Sequence, residues 1–225
     1  MLLTISDILD DATRRQIAAA AAALSWRDGR ITAGNTAKTV KQNEQADLSS
    51  PEGRALATLA LDAISSHAVV GAAARPRRFS NLLLSRMTPD DRYGPHVDNA
   101  LMRKNGDRFR SDISFTLFLT PPDEYDGGEL VIHRAGSAQS VKGDAGDLVL
   151  YASTSIHEVA TVTRGERLVC VGWIESLIPD EAQRELLFDL ENLRVSLRAS
   201  MDAQSAELLT VDKTIANLLR MWAHP

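Results

Sequence analysis

One cysteine, Cys170, in 225 residues leaves no internal disulfide to form. The fold must therefore rest on a packed core, and the expected compartment is a reducing one. No apolar run approaches the roughly 18 residues needed to span a bilayer, so no transmembrane helix is expected. Met1 to Asp10 lack the basic region and apolar run of a secretory leader, and the expected location is the cytoplasm. Basic charge is not in excess either. A formal net charge of -5 and a pI of about 5.6 argue against general affinity for nucleic acid or an anionic membrane, both of which need a basic face. Small molecules or peptides are the expected partners. What is present is a chain 44% hydrophobic and 24% charged, long enough for one sizeable core and an appendage but too short for two full catalytic domains.

In chain order, the first element expected is a helix capped by Ser6 or Asp7 and running through Ile17 and the alanines to Leu24. Trp26 to Gly34 reads as a strand and turn, with Asp28-Gly29 at the turn and Gly34 ending a following strand. Lys38 to Leu48 is polar and shows no clear period. Ser50-Pro51-Glu52 suits a helix start, and Leu56, Leu59, Ala60, Ala63 and Ile64 share one face of a helix to about His67. From Phe79 the pattern becomes short extended runs: Phe79 to Met87, the segment around His96, Asp112 to Thr120, Glu129 to His133, Leu148 to Tyr151, and Glu166 to Glu175. Gly/Pro turns separate them, and a polar loop spans 103 to 110. Such spacing without intervening helices indicates an antiparallel jelly roll, a double-stranded β-helix. Past Pro179-Asp180 two helices are expected. The first carries Leu186, Leu190, Leu193 and Leu197 along one face; the second carries Leu208, Val211, Ile215, Leu218, Leu219 and Trp222. The expected division is a jelly-roll domain with N-terminal helices over 1–178 and a small helical domain over 179–225. The apolar faces of the last two helices pack either on the rest of the chain or on a second subunit in a homo-oligomer.

Within Tyr93-Gly94-Pro95-His96-Val97-Asp98-Asn99, an extended backbone puts His96 and Asp98 on one face, about 7 Å apart and able to converge on one ion. An imidazole and a carboxylate suit divalent iron, and two histidines with one carboxylate form the open-faced triad of non-haem iron oxygenases. A His-x-Asp pair arises readily by chance, so context must carry the assignment. His157 supplies the missing histidine, just after the strand Leu148 to Tyr151. Ten residues on, Arg167 shares a strand face with Val169, Val171 and Trp173. A guanidinium among apolar residues needs a partner, and its planar fork matches a carboxylate ligand held beside the metal.

His96, Asp98, His157 and the block Arg164-Gly165-Glu166-Arg167-Leu168-Val169-Cys170-Val171-Gly172-Trp173 resemble the iron(II)/2-oxoglutarate-dependent dioxygenases of the prolyl/lysyl hydroxylase-like class. The chain resembles more closely the bacterial PKHD-type hydroxylases, a group that includes proteins named as iron-uptake factors. The likeness extends through Trp26-Arg27-Asp28-Gly29, Thr32-Ala33-Gly34, Arg110-Ser111-Asp112-Ile113-Ser114, Thr116-Leu117-Phe118-Leu119 and Asp123 to Leu130. The resemblance implies Fe(II) held by His96, Asp98 and His157, with 2-oxoglutarate and O2 as cosubstrates and L-ascorbate as a further cofactor. It implies that Arg167 pairs with the C5 carboxylate of 2-oxoglutarate. It also implies oxidative decarboxylation to succinate coupled to hydroxylation of a small-molecule or peptidyl substrate. Where such relatives usually have Arg-Tyr, this chain has Arg86-Met87.

The other candidates carry less. His67 reads as a helix-terminal residue, His133 as a sheet-surface residue, and His224 as a solvated one near the C-terminus. Tyr93 and Tyr151 read as core aromatics before site residues. The cations of the 103 to 110 loop, Arg103, Lys104, Arg108 and Arg110, form either a solvated loop or a lid that meets an acidic substrate. A closed structural zinc site is excluded by ligand type, since those sites favour several cysteines. A non-catalytic iron- and 2-oxoglutarate-binding sensor on the same fold is the alternative to an enzyme, and Arg167 has no use in an inert metal site.

Overall fold

The computed structural model describes residues 1–34, 37–104 and 106–225, with the backbone alone at 104. The chain starts with a strand, β1 (Leu2–Ile5), and the first helix, α1 (Asp11–Ala22), begins later than expected. Its cap is Asp10, whose carboxylate accepts from the Thr13 N–H. β2 (Trp26–Asp28) leads into a 3-10 turn over Gly29–Thr32, where the sequence suggested a second strand; Asp28 caps that turn by accepting from the Arg30 N–H. The aperiodic stretch after it holds β3 (Lys41–Gln42) and β4 (Glu44–Ala46). α2 (Pro51–Ser66) starts with Pro51 in its first turn and the Ser50 hydroxyl accepting from the Gly53 N–H. A short α3 (Ala68–Ala74) follows without a break wide enough to show in the sequence, and His67 lies between the two helices.

The strands then run β5 (Pro76–Phe79), β6 (Leu83–Met87), β7 (Arg92–His96), β8 (Leu101–Lys104), β9 (Asp107–Arg110), β10 (Ile113–Phe118), β11 (Asp126–Gly127), β12 (Leu130–Arg134), β13 (Ser137–Val141), β14 (Leu148–Ala152), β15 (His157–Val159), β16 (Val162–Arg164) and β17 (Arg167–Ser176). α4 (Glu181–Arg198) and α5 (Ala206–Trp222) complete the chain. The expected loop at 103 to 110 is thus mostly a two-stranded hairpin, β8 with β9. Asn105 and the Lys104 side chain fall outside the described residues.

Two antiparallel sheets face each other in a jelly-roll arrangement. The larger has the order β1-β14-β10-β17-β6-β4-β2, with β5 beside β17; the smaller has the order β13-β12-β15-β7-β3. Alternation along the central strands divides their side chains between two environments. On β17, Leu168, Cys170 and Ile174 join Ile113, Leu117, Leu148 and Leu150 under α1, α2 and α3, whose Ile17, Leu56, Ala60, Ile64 and Val70 are buried there. The opposite set, Arg167, Val169, Val171 and Trp173, faces the space between the sheets. The same pattern on β10 and β14 sends Ser114, Thr116 and Tyr151 inward.

The C-terminal helices pack through Ile178, Leu187 and Ile215, with Leu190, Val211, Leu218, Leu219 and Trp222 around them. On α5 the expected face is the packed one. On α4 it is only partly so: Leu190 packs in this cluster, but Leu186 and Leu193 are exposed, and the buried residues are Arg184, Leu187 and Glu191. Polar groups hold this seam. Arg184 Nη1 donates to the carbonyls of Ile178 (2.7 Å) and Pro179 (2.8 Å), and Glu191 pairs with Arg75 at the end of α3. Among the described residues, no single helix is long and apolar enough to cross a membrane.

Candidate metal centre and cosubstrate pocket

Antiparallel pairing of β7 with β15 places His96 directly opposite His157. Their rings lie 4.3 Å apart, centroid to centroid, at 53°. β7 ends at His96, so Asp98 sits just beyond the strand rather than within it. Even so, it returns to the same side, with Oδ2 3.7 Å from His157 Nε2. One donor atom from each of the three residues lies within 4.8 Å of the others.

Each donor is oriented by a second contact. His96 Nδ1 is 2.9 Å from the Gly94 carbonyl, and His157 Nδ1 is 3.1 Å from the Ser155 carbonyl. A carbonyl only accepts, so both Nδ1 atoms carry the proton and both Nε2 lone pairs are free. Ser114 Oγ donates to Asp98 Oδ2 at 2.5 Å and stands 2.8 Å from Ser153 Oγ, which fixes the carboxylate from β10. Burial first, and then His157 beside it, push the His96 imidazole down to about 4. His96 is therefore neutral at pH 7, the form that ligates a metal. Tyr93 stacks on His96 at 3.6 Å, and Tyr151 meets His157 edge-on at 5.0 Å. Both tyrosines pack in hydrophobic clusters, as expected of core aromatics, and strand pairing also brings each against an imidazole of the site. Burial pushes both phenols above their usual range.

The donors open on a cavity of about 410 Å³, large enough for a small diacid. Arg167 lines it and is 2% exposed, with Nε lacking any hydrogen-bond partner. No described carboxylate forms an ion pair with it, and burial lowers its proton affinity. An unmatched buried guanidinium is costly unless an anion meets it. Its guanidinium carbon stands 5.6 Å over the Phe118 ring. Met87 pairs with Arg167 across β6 and β17 and is buried at 2% exposure, so a thioether stands where relatives were expected to offer a hydroxyl. The buried Tyr125 phenol is the neighbour that acts on Arg167, raising its proton affinity against the larger effect of burial. Two imidazole Nε2 atoms, one carboxylate and a waiting cation fit iron(II) with a carboxylate-bearing chelator.

His133 lies outside this group. Its Nε2 is 2.9 Å from Glu158 Oε1 on the sheet surface, where its strand position suggested. His67 and His224 are also remote from the cavity. The residues that sequence reasoning missed are Ser114, Ser153 and Lys41. Ser114 sits inside a block that carries the family likeness, although no chemistry marked it out.

Residues 82–175 match the 2OG-Fe(II) oxygenase superfamily, and residues 181–224 match the PKHD-type hydroxylase C-terminal domain. A PKHD-type hydroxylase of Hyphomonas neptunium is 49% identical over 222 residues, covering 99% of both chains. One from Crocosphaera subtropica is 45% identical over 224 residues, covering 99% of this chain and 100% of the other. The chain belongs to the PKHD-type hydroxylases. It is accordingly an iron(II)- and 2-oxoglutarate-dependent dioxygenase. Solved structures support the fold of this PKHD-type hydroxylase at lower identity. A Pseudomonas putida prolyl-4-hydroxylase superposes with a TM-score of 0.53 at 24% identity, over 78% of this chain and 92% of the other. A viral collagen prolyl hydroxylase from Paramecium Bursaria Chlorella virus-1 gives 0.55 at 17% identity, over 78% and 96%.

Proposed function

We propose that His96, Asp98 and His157 hold the iron of this hydroxylase and that Arg167 grips the C5 carboxylate of 2-oxoglutarate. The observation that carries this reading is the shared cavity: three metal donors with free Nε2 and carboxylate lone pairs, and one buried guanidinium whose Nε has no partner. When bound, iron(II) with 2-oxoglutarate and O2 supplies an oxidant for a C–H bond, giving succinate, CO2 and the hydroxylated product. The chain's own residues do the rest. The Gly94 and Ser155 carbonyls hold both imidazoles in the ligating tautomer. Ser114 aims the Asp98 carboxylate. Arg167 orients the diacid by its far end, and Val169, Val171 and Met87 line the cavity with apolar surface that keeps bulk water from the reacting centre.

The substrate in this reading is a small molecule or a peptide side chain. L-ascorbate serves as a reductant that keeps the iron ferrous, which stimulation of turnover by ascorbate would support. The buried free thiol of Cys170 fits a cytoplasmic location. Exposed Leu186 and Leu193, on one face of α4, offer the surface for a homo-oligomer, testable by sedimentation. The deciding experiment loads the protein anaerobically with ferrous ion and 2-oxoglutarate. Oxygen and candidate substrates are then added, with succinate release and a product mass gain of one oxygen as the readouts. Binding of both ligands without any succinate would favour a sensor instead.

A further inference from the structure

The cavity that holds the proposed iron site contains a second buried cation without a task. Lys41, on edge strand β3, is 7% exposed and lines the cavity from the smaller sheet, whereas Arg167 lines it from the larger. Lys41 Nζ donates to Thr32 Oγ1 at 3.1 Å and stands 5.1 Å over the Tyr93 ring. Tyr93 in turn stacks on His96, so the ammonium lies one aromatic ring away from a proposed iron ligand. Thr32 is itself held in place, its hydroxyl donating to Gln45 Oε1 at 2.7 Å. Among the described residues no carboxylate forms an ion pair with Lys41, and one of its three N–H bonds is used. Burial holds the amine down at about 8 despite the pull of Asp98.

The charge lining the cavity points the same way. Among the described residues, Lys41, Arg103 and Arg167 are its cations and Asp98 its sole carboxylate, in a chain whose net charge is -5. Ferrous ion and the 2-oxoglutarate dianion cancel, and Asp98 offsets Arg167. Lys41 within the cavity and the exposed Arg103 on β8 are then left without a direct ion-pair partner among the described residues, Asp98 and Asp28 pulling on Lys41 only from a distance. Both carboxylates of the cosubstrate are accounted for by the metal and Arg167, so the anion that completes the cavity must come from another molecule.

We propose that Lys41, positioned by Thr32, is a specificity residue that receives a carboxylate of the substrate, with Arg103 attracting the same charge at the cavity rim. The substrate class is therefore an acid, such as an amino acid with a free carboxylate or a peptide presenting an acidic group. This inference rests on the iron and 2-oxoglutarate reading above. The carboxylate meets two free ammonium N–H bonds on a lysine that is itself 7% exposed, and charge-assisted hydrogen bonds there favour a carboxylate over a neutral amide.

The test uses protein loaded with Mn(II), which does not support turnover, and saturating 2-oxoglutarate. Calorimetry then follows the binding of acids against their neutral amides: N-acetylglycine with N-acetylglycinamide, propionate with propionamide, and benzoate with benzamide. The expected result is at least one acid binding wild type about tenfold more tightly than its amide. Lys41→Gln should bring that preference to within about twofold, Lys41→Arg should retain part of it, and Thr32→Val should weaken it with the lysine still present. The 2-oxoglutarate affinity of Lys41→Gln should stay within about twofold of wild type. The inference is overturned if no acid is preferred by wild type, if Lys41→Gln keeps the preference, or if Lys41→Gln loses 2-oxoglutarate binding. Failure of wild type to bind 2-oxoglutarate in the presence of metal would instead sink the underlying iron-site reading.

Discussion

Replacing Lys41 by methionine should stabilise the ligand-free protein, although surface lysines do not behave in this way. The amine titrates at about 8 in the fold against 10.5 when solvated, which corresponds to a burial cost of about 3 kcal/mol at pH 7. Methionine keeps most of the packing volume but gives up the bond to Thr32, a loss of about 1 kcal/mol. A net gain of about 2 kcal/mol remains, and for a chain of this size that raises Tm by about 4 to 8 °C. The sign follows from linkage: the folded state binds the proton less well than the unfolded state. The penalty is therefore fully present below pH 8, shrinks as pH rises from about 8 to 10.5, and disappears above that. Thermal denaturation of metal-free wild type and Lys41→Met, recorded between pH 7 and 9.5, should show an advantage for the variant that narrows with pH. Lys38→Met, at an exposed position, serves as the control and should show no such trend. A destabilised Lys41→Met, or an advantage independent of pH, would refute the claim that this ammonium is held at a cost until an anion arrives.

Arg167→Ala should keep metal affinity while weakening 2-oxoglutarate by about 100-fold, since truncating one side of a buried charge pair costs about 3 kcal/mol; calorimetry with and without Mn(II) reads both quantities, and equal 2-oxoglutarate binding would remove the role assigned to Arg167. His96→Ala or Asp98→Ala should abolish succinate formation and reduce metal affinity, and unchanged turnover in either would remove the iron site. Gly127→Ala should lose about 3 kcal/mol of stability, because its φ is +73° and a Cβ there would lie 2.0 Å from the Thr161 carbonyl oxygen; denaturant unfolding that matches wild type would contradict this.

The hairpin at 103–110 shows where sequence pattern loses its force. Its strands are short, charged and largely solvent-facing, so no alternation of apolar and polar residues betrays them. The packed face of α4 departs in part from its leucine pattern for a related reason. Leucines at 186 and 193 mark one side of the helix, but the buried side carries Arg184, held by the Ile178 and Pro179 carbonyls just before the helix, and Glu191, whose partner Arg75 only the tertiary fold brings near. By contrast, β17 was legible because one strand carried apolar residues on both faces with a single arginine among them, and α2 because its cap and its apolar face agreed.

By itself the sequence determined the chemical kinds involved: two imidazoles and a carboxylate suited to iron, an arginine suited to a carboxylate, a mainly β core and the family likeness. These follow from side-chain identity and short-range period, which are written along the chain. Tertiary structure decided that His157 stands across from His96, that Ser114 aims Asp98, that Tyr93 and Tyr151 frame the imidazoles, and that Lys41 is buried in the same cavity. Strand register brings together residues far apart in sequence, and burial sets the electrostatic cost of each charge; neither quantity exists until the sheets have closed.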